Sequence, residues 1–173
     1  MAGMVRLVIG VAMALLAFSQ AQAQMTPTAQ KERVVGQFGD WRILCDSADN
    51  SDCFMVLNGV DSAGKPIVEF SLIRLQSDPN IPAGGTVIVP LGTALPEGVA
   101  LQIDQGERLR YVYEFCAPAG CVANMALTAD QVQSMQAGAR ATITIARAAN
   151  PDTPIAIPIS LNGFTAAYKA LSQ

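Results

Sequence analysis

The chain has no histidine among its 173 residues. Imidazole is the side chain that most often moves protons near neutral pH, so this absence excludes Ser–His and Cys–His catalysis. The sequence also lacks a serine in a Gly-x-Ser-x-Gly turn and a glycine-rich phosphate-binding motif. We therefore predict that the protein is not an enzyme.

Two converging carboxylates are the remaining route to hydrolytic chemistry, because glycosidases place an acid on each side of the bond they cleave. The spacing of the acidic residues suggests no such pair, and we interpret them as solvated strand and turn carboxylates. The acids considered are Glu69, Glu97, Asp104, Glu107 and Glu114.

One acidic turn, Asp46–Asp52, carries oxygen ligands of the kind that calcium takes. It lacks the alternating acid spacing, the central glycine and the terminal glutamate of an EF-hand loop. Asx-rich turn chemistry explains it equally well, so calcium binding there stays open. We predict no cofactor and assign no metal ligand.

Positive charge is sparse and scattered along the sequence. The chain has 11 Lys and Arg against 14 Asp and Glu, and its basic residues form isolated pairs such as Lys31/Arg33, Arg108/Arg110 and Arg140/Arg147. Proteins that bind nucleic acid concentrate positive charge on one surface to neutralise phosphates. We therefore predict no nucleic-acid partner.

A long apolar run occurs near the N-terminus, where it has the form of a signal peptide. Arg6 precedes the apolar stretch Leu7–Phe18, and Ala21-Gln22-Ala23 is a small-x-small cleavage site. We predict a signal peptide at residues 1–23. The apolar stretch is shorter than the roughly 20 residues of a membrane-spanning helix, so no transmembrane anchor is expected after cleavage. The expected location is the periplasm, the cell surface or the medium.

The four cysteines form two close pairs in the sequence. In an oxidising compartment they predict structural disulfides, and four cysteines allow three pairings. We favour Cys45–Cys53, which flanks a predicted hairpin turn, and Cys116–Cys121, whose loop a proline and a glycine tighten. The larger entropic effect of a long-range link leaves the other pairings open. Neither pair has the Cys-x-x-Cys spacing of redox or zinc sites.

After a polar arm at residues 24–33, apolar residues alternate with polar ones along most of the chain. A period of two is typical of half-buried strands, and proline, asparagine and glycine predict breaks at 78–85 and 150–152. The predicted strands are 41–45, 53–60, 68–72, 86–91, 99–103, 109–115, 142–145 and 155–161.

Two short helices are predicted from local signals. Thr128–Gln131 resembles a capping box, with Gly138 as the C-terminal stop. Apolar residues also recur at helical spacing between Phe164 and Leu171. Pro158 has no N–H for a ladder, so the last strand should lie at a sheet edge or carry a bulge there.

Many short strands without a βαβ rhythm predict a mainly β fold. We expect an antiparallel β-sandwich of about seven to nine short strands with two short helices, stapled by disulfides. Trp41, Tyr111 and Tyr113 could line a ligand site, although aromatic residues at strand spacing are more often core. The binding regions suggested are the edge near Pro158 and the Asp-rich hairpin tip.

Four segments resemble the invasion-associated locus B family, in the family's order and across nearly the whole chain after the signal peptide. The most specific features are an aromatic–acid–Trp segment that ends in cysteine, a later Cys…Gly-Cys, and a Leu-x-Gly-Phe-x-x-Ala tail. The segments are Phe38–Cys45, Gly98–Asp104, Phe115–Ala123 and Ile159–Tyr168.

The resemblance implies an exported alphaproteobacterial envelope protein, from a family named for a member that contributes to a pathogen's invasion of host red cells. Residues 34–173 would form the single family domain. The family offers no catalytic motif to transfer, so we expect a non-enzymatic binding module whose partner is a protein or an envelope or host-surface component. The alternative is a periplasmic stress-response or assembly factor that holds other exported chains, and a histidine-free enzyme ranks behind both.

Overall fold

Two antiparallel sheets pack against each other through their alternating apolar side chains. The structure, a computed structural model, describes residues 32–45 and 52–171. Within these ranges the chain forms eleven strands, two α-helices and one 3-10 turn at Leu95–Glu97. The elements are β1 Arg33–Phe38, β2 Trp41–Cys45, β3 Cys53–Val60, β4 Pro66–Arg74, β5 Ala83–Val89, β6 Val99–Ile103, β7 Arg108–Tyr111, β8 Phe115–Ala117, β9 Gly120–Leu127, α1 Ala129–Ala137, β10 Arg140–Arg147, β11 Asn150–Ser160 and α2 Phe164–Ala170.

The larger sheet has seven strands in the order β1-β2-β3-β4-β5-β9-β8, and the smaller has four in the order β11-β10-β6-β7. This arrangement confirms the predicted mainly β, antiparallel sandwich with two helices. The described residues contain more strands than the seven to nine predicted. The sequence pattern does not predict β1 or β9, and it does not separate β8 from β7.

The buried face of β4 confirms the predicted alternation, since the side chains of Val68, Phe70 and Leu72 are all buried. Phe70 lies opposite Leu57 of β3 and Val87 of β5. Side chains on one face of a sheet stabilise it through such cross-strand pairs. The buried apolar residues of both sheets and both helices form one core cluster.

The predicted break at 78–85 is wrong over its last three residues, because β5 begins at Ala83. Gly85 lies opposite Leu72 in the ladder. A Cβ at Gly85 would lie 3.3 Å from the ring of Phe70. The glycine therefore makes room for a large core side chain and does not end the strand.

The predicted strand 109–115 is wrong beyond Tyr111, where β7 ends. Phe115 belongs to β8 in the other sheet, and its side chain is 55% exposed. The backbone crosses between the sheets here, and the Glu114 N–H donates to a carbonyl of β9 at 2.9 Å. The apolar alternation continues through the crossover because Tyr113 still packs against the core.

The predicted turn at 150–152 is also wrong, because these residues begin β11. Asn150 already pairs with Arg147, so the reversal occurs at residues 148–149. A proline in this part of β11 is tolerated because the strand lies at a sheet edge.

Both helices confirm their sequence signals. The Thr128 hydroxyl accepts a hydrogen bond from the Gln131 N–H, and the Gln131 side chain accepts one from the Thr128 N–H. This reciprocal capping box begins α1. Helix α2 follows Gly163, whose φ of 86° is left-handed and where a Cβ would clash with the Phe38 carbonyl oxygen.

Each disulfide joins residues that lie directly opposite each other in a hairpin. Cys45 faces Cys53 across β2 and β3, and Cys116 faces Cys121 across β8 and β9. These are the two local pairs that the sequence favours. Cys45 and Cys121 belong to the buried core.

Three sequence predictions concern residues outside the described ranges. These are the signal peptide at 1–23, most of the arm at 24–33, and residues 46–51 of the predicted acidic turn Asp46–Asp52. The last residue of that arm, Arg33, is the first residue of β1. No helix within residues 32–45 and 52–171 is long and apolar enough to cross a membrane.

Candidate functional site

Strand β11 forms an edge of the four-stranded sheet, which is the first of the two arrangements predicted from Pro158. The Arg140 carbonyl accepts a hydrogen bond from the Asp104 N–H, so Arg140 faces β6. By strand alternation the backbone N–H and C=O of Thr142 also point towards β6. The backbone groups of its partner Pro158 therefore point away from β10, out of the sheet edge. At this position the edge presents a carbonyl but no N–H.

A groove follows this edge, and we call it the β11 groove. It consists of two adjoining depressions of about 570 and 560 Å³, which share Val60 and Pro158. The first extends along β11 to Asn150, and the second extends to Ser160 and the β1–β2 turn. The groove thus runs along most of the strand.

The first depression has an apolar lining. Ile67 of β4 and Ile155 of β11 lie on its walls together with the shared Val60 and Pro158. Val60 is 41% exposed although its side chain is apolar. Concave sites with an apolar centre and a few polar groups are typical of ligand sites, and a groove of this length suits an extended segment.

The two sheets approach each other closely beneath the groove. A Cβ at Gly59 would lie 2.6 Å from Ile157 Cγ2 and 2.9 Å from Ile159 Cδ1. Glycine at this position of β3 therefore lets the β11 side chains reach the core. The floor of the groove is consequently formed by well-packed strands.

Hydrogen bonds fix the end of the groove at Ser160. The Trp41 Nε1–H donates to the Ser160 carbonyl at 3.0 Å. The Ser160 hydroxyl donates to Asp40 Oδ2 at 2.6 Å, and the Asp40 N–H donates to the Asn162 carbonyl. These bonds attach the β1–β2 turn to β11 and hold that wall in place.

Charged residues line the rim. The Asp61 carboxylate accepts two hydrogen bonds from N–H groups of its own turn, so it serves the turn's structure. Arg147 and Arg42 bring positive charge to the two depressions. Burial and the neighbouring Glu32 raise the pKa of Glu69, and Arg42 opposes this rise. Arg42 thus already interacts with an acidic side chain.

The five carboxylates considered from the sequence lie on several elements, and Glu69 belongs to β4. Asp104 and Glu107 belong to the β6–β7 turn, where Asp104 accepts hydrogen bonds from the N–H groups of residues 139 and 140. Glu114 accepts one from the Asn124 side chain, and Glu97 ends the 3-10 turn. In the described parts of the chain, no three cysteine or acidic side chains cluster closely enough to hold a metal ion.

The three aromatic residues suggested as ligand contacts lie elsewhere. Trp41 is fully buried in the core. The Tyr111 hydroxyl accepts a hydrogen bond from the Gln131 side chain. Burial raises the pKa of Tyr113 to about 12, and its hydroxyl has no hydrogen-bond partner among the described residues. None of the three lines the β11 groove.

The sequence predicts Pro158 as part of a binding site, but it does not predict the residues that form the other walls of the groove. Val60 and Ile67 come from the β3–β4 hairpin, and Arg147 from the end of β10. These segments are far apart in the sequence and meet only when the sheets stack. A local pattern therefore carries no signal for them.

Comparison with known proteins gives a consistent result. The sequence pattern of the family described as "Invasion associated locus B (IalB) protein" matches residues 41–172. Two curated relatives are invasion protein B homologues of Brucella abortus, from strain 2308 and from biovar 1 strain 9-941. Each is 29% identical over 131 residues, which covers 75% of this chain and 74% of the relative.

A solved structure is similar as well. It is the crystal structure of invasion associated protein B from Bartonella henselae, with a TM-score of 0.68 and 26% sequence identity. The alignment covers 79% of this chain and 94% of that chain.

Proposed function

Because the chain belongs to the invasion associated locus B family, we propose that it is an exported, non-enzymatic envelope protein that binds a partner protein. The binding site in this proposal is the β11 groove. The partner is a protein of the bacterial envelope or of a host surface, and it contributes an extended segment.

The continuous groove along β11 is the observation that carries the proposal. It combines apolar walls, exposed Val60 and a rim that carries Arg147. Its outer strand offers no N–H at Pro158, so recognition would rest more on side chains than on added ladder hydrogen bonds. Side-chain pockets of this kind give specificity for a partner segment.

Replacing Val60 with glutamate should abolish partner capture and leave the fold intact. The change places a charge in the apolar part of the groove, whereas substitutions at exposed positions alter stability by only about 0.5 kcal/mol. Capture is measured with a photo-cross-linking amino acid at Thr153, in the intact envelope and with host membranes. Leu91→Glu is the matched control, because Leu91 is 58% exposed and outside the groove.

A discrete cross-linked species that Val60→Glu removes and Leu91→Glu retains would support the proposal. Equal loss in both variants, or no species above a denatured control, would refute it. A broad set of unfolded exported chains in the groove would instead favour the assembly-factor alternative.

The proposed location outside the cytoplasm is supported by two disulfides, which persist in oxidising compartments. Protease treatment of intact cells should digest the protein if it is exposed at the surface, with a known periplasmic protein as the lysis control. Digestion only after the outer membrane is permeabilised would indicate a periplasmic protein. Retention of the protein in a spheroplast cytosol fraction would contradict export.

A further inference from the structure

A second concave site lies on the four-stranded sheet. Arg108 and Arg110 stand two residues apart on β7, so their side chains leave the same face of the strand. Both line a cleft of about 360 Å³. In the sequence this pair stands apart from the other basic residues, whereas in the structure both side chains line one cleft.

Neither arginine of this cleft forms an ion pair with a described residue, and the one acidic side chain in the lining is Glu97. The Arg108 guanidinium has no hydrogen bond or ion pair with any described residue. The Arg110 guanidinium donates to the Pro96 carbonyl, and that is its one side-chain hydrogen bond within the described chain. A guanidinium carries five N–H donors, so most of them remain available. Two like charges on one face would be stabilised by an anion between them.

The floor of the cleft is made of small side chains. Ala100 of β6 lies between Arg110 and Thr144 in the ladder. The short alanine leaves space beside the guanidinium, and Thr144 can supply a hydroxyl donor at that level. Pro151 and Pro154 of β11 form an apolar wall.

The composition of the cleft discriminates between classes of anion. Glu97 also lines it, and the whole chain has a net charge of −3. A ligand with many negative charges, such as a polyphosphate or a sulfated glycan, would be repelled by both. A single carboxylate on an aliphatic stem suits two arginines, one hydroxyl and a proline wall, because guanidinium and carboxylate groups form paired hydrogen bonds.

We infer that this cleft binds one carboxylate side chain, a glutamate or aspartate of a partner protein. The cleft and the β11 groove share no lining residue: Pro151 and Pro154 line the cleft, whereas Thr153 and Ile155 line the groove. The two sites can therefore be tested separately.

The test is an NMR titration of the ¹⁵N-labelled protein, observed at the arginine Nε–H signals. The probe is acetyl-glutamate N-methylamide, its neutral control is acetyl-glutamine N-methylamide, and inorganic sulfate is a separate arm. The glutamate probe should shift the Arg108 and Arg110 signals, and R108Q or R110Q should each weaken its binding about fivefold, as expected for loss of a charge-assisted hydrogen bond. Arg140→Gln is the matched control, because Arg140 is an exposed arginine of the same sheet that does not line the cleft.

Saturable shifts with the glutamate probe that persist in R140Q and weaken in R108Q and R110Q would support the inference. Equal shifts with the glutamine probe would overturn it, as would an equal loss in R140Q. Tighter binding of sulfate than of the glutamate probe would overturn the assignment to a carboxylate. Failure of the Val60→Glu experiment would leave these outcomes unaffected.

Discussion

Replacing Trp41 with alanine is expected to lower the free energy of unfolding by about 3 to 5 kcal/mol, the usual range for truncating a fully buried large aromatic side chain. The indole packs edge-on against Phe70 at 5.9 Å and against Phe164 at 5.3 Å between ring centroids. Its Nε1–H also donates to the Ser160 carbonyl. One side chain in β2 thus holds β4, α2 and β11 together, so its removal leaves a cavity where both sheets and a helix meet.

Trp41→Phe separates the packing effect from the hydrogen bond. Phenylalanine retains an aromatic ring but leaves the part-buried Ser160 carbonyl without this donor, which costs about 1 kcal/mol. We therefore expect Trp41→Phe to lie between the wild type and Trp41→Ala. Urea unfolding followed by far-UV circular dichroism measures all three, since Trp41 is the single tryptophan and fluorescence is lost with it.

The control for this series is Val112→Ala, because Val112 is 73% exposed. Its unfolding free energy should stay within about 0.5 kcal/mol of the wild type. A Trp41→Ala variant that unfolds at the same urea concentration as this control would show that the sheets do not depend on the indole.

Removing the Cys45–Cys53 disulfide by a double alanine substitution should lower the free energy of unfolding by about 2.6 kcal/mol, and removing Cys116–Cys121 should lower it by about 2.2 kcal/mol. Both values are the entropy that each closed loop removes from the unfolded chain. The difference follows from sequence separations of 8 and 5 residues. Cys45 and Cys121 are also buried, so loss of their packed sulfur atoms should add to these values.

Urea unfolding with and without a reductant tests this expectation. Reductant should bring the wild type close to the stability of a variant that lacks both disulfides, and that variant should not respond to reductant. If the Cys116–Cys121 pair were a redox site, its removal would abolish a thiol–disulfide exchange activity and leave stability unchanged. That result would contradict the structural role assigned here.

The parts of the fold that the sequence predicts are those that local contacts decide. The bounds of β2 and β3 match the pattern, since a polar sequence segment separates two apolar runs that pair directly. The capping box at Thr128 is equally local, because its two hydrogen bonds join residues three apart. The close cysteine pairs belong to the same class, as each lies across one hairpin.

Predictions failed where a neighbouring element decided the outcome. In the sequence Gly85 indicates the end of a strand, but in the structure it lies within β5 and leaves space for the Phe70 ring. The apolar residues from Leu109 to Phe115 look like one strand, but the chain changes sheets after Tyr111. Alternation reports which side chains face a core, and it does not report which sheet carries the backbone.

The sequence by itself determined the β-rich class and both helices, and it favoured the local disulfide pairs and the edge position of Pro158. Only the tertiary structure decided the β11 groove and the Arg108–Arg110 cleft. The physical reason is the range of the interactions. Periodicity, caps and hairpin turns act between residues close in the chain, whereas both concave sites depend on how strands from distant segments pair and how closely the sheets stack.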